Sequence, residues 1–158
     1  MHLLPESLVE RLKTRQAILV TGLGCAELAG LPTWIGLCER MAEWIEDEAA
    51  KQTFLDLAQR GQLASAAALL RDLVASDALL EVLLDAYPIA TEVPESIRTL
   101  ARAPWRGIVT TGYDGLWATA LAEPAEKSER LVLAAQAASL EPGRGRFLVQ
   151  LFGRADVP

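Results

Sequence analysis

At 158 residues, with 51% hydrophobic side chains and only 6% aromatic ones, the chain has the length for one domain with a real core and is too apolar for a disordered tail. Its formal net charge is −6, with 21 acidic residues against 15 basic ones, which disfavours nucleic acid or an anionic membrane as partner. No apolar run of about 18 residues lacks a charge or a breaker, which excludes a spanning helix, and the opening MHLLPESLVERLK places acids early and holds no cleavage-like segment, so it does not read as a secretory leader.

In chain order, residues 5–13 start with Pro5 and place Leu8, Val9 and Leu12 on one side, a short helix. QAILVT (16–21) is short and uniformly apolar, the pattern of a buried parallel strand. A glycine-bearing loop follows, and Thr33 is placed to cap a helix in which Trp34, Leu37, Cys38, Met41, Trp44 and Ile45 form the apolar stripe. The acids Glu39, Glu43, Glu46 and Asp47 take the other side, a solvated face or a surface for a basic partner. Further helices are expected over 50–60, ending at Gly61, over 63–74 with the stripe Leu63, Ala66, Ala67, Leu70, Leu73 and Val74, and over 76–87, capped by Ser76. Another is expected over 94–102, with Pro94 in first position.

RGIVTTGYD (106–114) reads as a second strand and turn, with Asp114 capping a helix that buries Leu116, Trp117, Ala120 and Leu121. Residues 129–135 fit helix or strand, and GRFLVQLFG (145–153) is a strand bounded by glycines. The plan is α/β with a mostly parallel sheet, and a large helical insertion over about 35–103 lies between the first two strands of a single 1–158 domain. Cys25 and Cys38 are too few for a disulfide framework or a metal site and read as small core residues in a reducing cytoplasm. The only basic cluster is thin: Arg144, Arg146 and Arg154.

The loop 17–34, AILVTGLGCAELAGLPTW, raises the functional question. A glycine loop between a buried strand and a helix either offers free N–H groups to a phosphate or only turns the chain. Its spacing is neither G-x-G-x-x-G, because Gly30 comes too late after Gly22 and Gly24, nor a P-loop, which ends in Gly-Lys-Ser/Thr.

TGLGCAELAGLPTW resembles the sirtuin signature, Gly-Ala-Gly-x-Ser followed by Gly-(Ile/Leu)-Pro and an aromatic. PWRGIVTTGYDGL resembles the second signature of bacterial sirtuin-like domains, a strand ending in Thr-Thr-Asn-x-Asp, and RFLVQLFGRADVP resembles the third, a strand ending in His-Gly. The resemblance covers most of the chain and implies a Rossmann-like sheet, a strand over 129–135 and an NAD site in which an Asn and a His near the ribose do the chemistry. Gly22, Gly24, Gly30, Leu31, Pro32, Trp34, Thr110, Thr111 and Asp114 match the signatures. Leu23 replaces the small Ala, Ala26 the Ser, Gly112 the Asn, and Phe152 the His before Gly153. Phe152 cannot act as a base, and the one histidine, His2, lies at the chain end.

The resemblance therefore implies a pseudoenzyme without catalytic residues, with a vestigial cofactor set of Gly22, Gly24, Gly30, Pro32, Thr110, Thr111 and Asp114, and with no bound cofactor, NAD being possible if the pocket is retained. Read locally, Thr110 and Thr111 satisfy a strand end, and Trp34, Trp44, Trp105 and Trp117 pack. The chain stops soon after the third motif, which reads as a fragment of a larger protein or a shortened variant of the domain. The expected function is a cytoplasmic protein-interaction or assembly module of a larger bacterial protein, with a protein partner or self-association through 63–74, and no nucleic acid, membrane or metal. The alternatives are an NAD sensor and a defence-type NAD hydrolase with relocated groups drawn from Glu27, Asp114 and Tyr113.

Overall fold

The computed structural model describes residues 4–88, 92–122, 129–133 and 146–151. The chain begins with helix α1 (Glu6–Lys13), whose first turn holds Glu6 and whose last holds Arg11 and Lys13, as the helix dipole favours. Strand β1 (Ile18–Thr21) follows, then one helical turn, α2 (Gly24–Glu27). Four helices come next: α3 (Trp34–Ala42), α4 (Glu48–Gln59), α5 (Leu63–Leu73) and α6 (Ser76–Ala86). Helix α7 (Glu95–Arg102) leads into β2 (Gly107–Thr110), which is followed by α8 (Leu116–Ala122), β3 (Glu129–Leu133) and β4 (Arg146–Gln150).

The protein is α/β, and the described strands form one parallel sheet in the order β1-β2-β4-β3. Leu19, Ile108 and Leu148 stand in one cross-strand row; Val20, Val109 and Val149 stand in the next, on the opposite face. The first row is covered by Ile97 and Ala101 of α7 and by Leu116, Trp117 and Ala120 of α8. A second core lies among the helices, built on Leu37, Cys38, Met41, Phe54, Ala66, Leu70, Val82 and Ala86. Leu31 packs against both cores, so the segment after Gly30 ties the helical layer to the sheet.

Several local expectations hold in detail. Thr33 caps α3, accepting from Gly36 N at 3.1 Å, and Gly61 ends α4 with φ +71°. Residues 129–133 form a strand, as the resemblance implied; 134–135 lie outside the described residues.

Others need correction. β1 is not buried: Ile18 is 48% and Val20 70% exposed, because β1 lies at the end of the strand order and its second face is uncovered. Trp44 leaves the apolar stripe and is 48% exposed, since α3 ends at Ala42 and the turn that follows rotates the indole outward while burying Ile45. On α5 only Ala66 and Leu70 are buried, and Leu63 and Leu73 stay exposed. Ser76 is the first helical residue rather than the cap, a position held by Ala75, and Pro94 sits one place before its helix. Among the described residues no helix is long and apolar enough to cross a membrane.

Candidate functional site

The carboxyl ends of β1, β2 and β4 bring the chemistry-bearing residues together, where α/β sheets commonly bind ligands. Parallel register places Thr21, Thr110 and Gln150, the last residue of each strand, side by side on one face. Thr110 is 1% exposed and its Oγ1 accepts from Gly112 N at 3.0 Å. Gln150 is fully buried and its Nε2 donates to the Asp114 carbonyl at 3.0 Å. Asp114 Oδ1 accepts from Leu116 N at 3.0 Å and so fixes the start of α8. Leu151 N donates to the Thr110 carbonyl and Thr111 N to the Thr21 carbonyl, tying the three strand ends to one another. The Thr110, Asp114 and Gln150 side chains each hold a turn.

Gly112 is buried within this network. A Cβ at that position would stand 2.5 Å from Asp114 Oδ2 and 3.3 Å from Thr110 Oγ1. The Asp114 carboxylate thus takes the space next to Gly112, and a side chain at 112 would require it to shift.

Five amides of the loop after β1 are spent on its own turns. Cys25 N donates to the Gly22 carbonyl, Ala26 N to that of Leu23, Ala29 N and Leu31 N to that of Ala26, and Gly30 N to that of Glu27. A phosphate cradle needs such N–H groups open, so these five are already committed. Gly30 has φ +72° and open space around its missing Cβ, so backbone conformation requires it. Leu23 packs on the helical core beside Leu31 and Trp34. Pro32 offers its carbonyl to the Tyr87 hydroxyl at 3.3 Å, which joins the end of α6 to the loop. Of the residues singled out in sequence, Gly22, Thr110, Thr111 and Asp114 come together, Gly24 opens α2, and Gly30 and Pro32 shape the passage to α3.

Burial raises the pKa of Asp114 above the usual carboxylate range, opposed by its bond from Leu116 N. Burial, then the charge of Asp114, raises Cys25; burial, then Glu39, pushes Cys38 up to about 11. Burial, then Asp114, pushes Tyr87 to about 12, and burial with Cys38 raises Tyr113, whose ring centroid is 6.1 Å from that of Tyr87. Both thiols and both phenols are thus held neutral, the opposite of what an activated nucleophile requires. Glu27 is exposed, and Phe152 and Gly153 lie outside the described residues.

The Thr21, Thr110, Thr111, Asp114 and Gln150 side chains include one carboxylate and no cation. Gln150, which sequence reasoning missed, is the deepest of the group; a lone Gln ending an apolar strand carries no local signal. Its Oε1, like Thr21 Oγ1, is buried without a hydrogen-bond partner. Among the described residues no group of three His, Cys, Asp or Glu side chains is placed to hold a metal ion. No family model and no curated protein matches this chain, so the reading of the site rests on its own geometry.

Proposed function

We propose that this protein is a non-catalytic, sirtuin-like, Rossmann-like domain that works as a protein-interaction or assembly module of a larger protein. One observation carries the reading: Gly112 stands where the signature's Asn would be, in a buried turn where Asp114 caps α8 with one oxygen and takes the space beside Gly112 with the other. The neutral thiols and phenols nearby supply no base or nucleophile in its place. Exposed leucines support the interaction half of the proposal, with Leu63 and Leu73 on α5 and Leu80 and Leu84 on α6 each more than two-fifths exposed.

Calorimetric titration with NAD and ADP-ribose, run beside an NAD-consumption assay, tests this. The expected result is no heat, no thermal stabilisation at millimolar ligand and no turnover. Turnover that Asp114→Asn abolishes would overturn the proposal.

A second reading, an NAD-binding sensor, is favoured by the buried unpartnered oxygens of Gln150 and Thr21 at the strand carboxyl ends. Tight binding without turnover would select it.

A further inference from the structure

The ends of α3 and α6 meet on the helical layer. Arg40 of α3, with Glu43 and Trp44 just beyond it, and Glu81, Val82 and Asp85 of α6 line a groove of about 450 Å³. Val82 is buried within it, while Trp44 keeps 48% of its surface exposed, a large apolar ring for a solvent-facing position. Both helices deliver their carboxyl-terminal ends here, so the negative poles of two dipoles add to three carboxylates. Helix α6 has no basic residue in its last turn, and Asp85 stands there instead. That placement works against the helix and suits an incoming cation.

The groove already holds one guanidinium: Arg40 Nη1 lies 3.3 Å from Asp85 Oδ2. Among the described residues Glu43 and Glu81 make no ion pair, leaving two carboxylates beside an indole. Arginine matches this combination better than lysine does. Its planar fork takes carboxylate oxygens, and the same plane stacks on an aromatic ring.

We propose that the α3–α6 groove docks an arginine-bearing segment of a partner protein, with the guanidinium held by Glu43 and Glu81 against Trp44. This rests on the interaction-module reading and names the chemistry of its partner. An anionic partner is repelled by the same carboxylates.

The test is an NMR titration of the full chain with a short alanine-based helical peptide carrying arginine at every fourth position, and with its glutamate counterpart. The Trp44 indole signal is assigned through Trp44→Phe. The arginine peptide is expected to shift that signal, and the glutamate peptide to leave it in place. Replacing Glu43 and Glu81 by Gln together should weaken binding about tenfold. The same pair should melt no lower than the native chain, because Glu43 opposes the α3 dipole and exposed Glu81 makes no ion pair among the described residues. Replacing exposed Glu6 and Glu92 by Gln makes the same change in net charge and should leave affinity within about twofold.

An unmoved Trp44 signal, equal binding of the glutamate peptide, or equal weakening by the Glu6 and Glu92 pair overturns the groove. Loss of the groove with NAD still unbound leaves the interaction reading standing. NAD turnover removes that reading whatever the peptide does.

Discussion

The carboxylate of Asp114 and the absent side chain of Gly112 claim one space, with Asp114 Oδ2 2.5 Å from where a Cβ on residue 112 would stand. Asp114 cannot swing aside freely, because its other oxygen caps α8 through Leu116 N. Gly112→Ala should therefore cost about 1–3 kcal/mol through forced displacement of the carboxylate. Asp114→Ala alone should cost about 1 kcal/mol through the lost cap. In the double variant much of the first cost disappears, so denaturant unfolding should give a coupling energy above about 0.5 kcal/mol. Simple additivity would show that the two residues do not share the space.

Acidity offers a second check on Asp114. Burial raises its folded pKa, so the folded state holds the proton more tightly than the unfolded chain does. Its ionisation weakens the fold: the penalty is absent below the unfolded value of about 3.9, grows as pH rises, and is complete above the folded value. Asp114→Asn keeps an oxygen for Leu116 N without the charge. Melting curves at about pH 3 and about pH 7 should show this variant gaining on the native chain at the higher pH. A difference independent of pH would remove burial as the controlling term.

Gly30 tests the turning role of the loop. With φ +72° and no atom within 4 Å of a Cβ position, the site is sterically open but conformationally left-handed. Gly30→Ala should cost about 1 kcal/mol, and Gly30→Asn clearly less, since Asn visits that region more readily. Equal costs measured by chemical unfolding would point to crowding instead.

The two sheet positions Val20 and Ile108 should respond very differently. Val20→Thr, at a side chain 70% exposed, should change stability by under about 0.5 kcal/mol in the isolated chain. Ile108→Ala, at a residue with no exposed surface, should cost about 2–5 kcal/mol. A large effect at Val20 would mean that its face is covered in solution, which sedimentation of the native chain would detect as self-association.

Much of this was legible in sequence because helices and caps report on neighbours three and four residues away. The stripe Leu37, Cys38 and Met41, the Thr33 cap and the turn at Gly61 are decisions of local backbone and local side chains. The apolar runs before Thr21 and Thr110 likewise mark strands without any partner being known, although only the second is largely buried. Asp114 was visible as a cap for the same reason, although its closeness to Gly112 was not.

The tertiary structure decided what is covered and what meets. Val20 and Val109 are equivalent in sequence pattern, yet one is exposed and the other half-buried, because exposure depends on elements far along the chain. Trp44 continues the apolar period and still faces out, because α3 stops two residues earlier. The row Thr21–Thr110–Gln150 exists only through strand register, which pairs residues 89 and 40 positions apart. Composition and periodicity fix the pieces through short-range sterics; the site and the groove come from long-range packing, which no window of sequence contains.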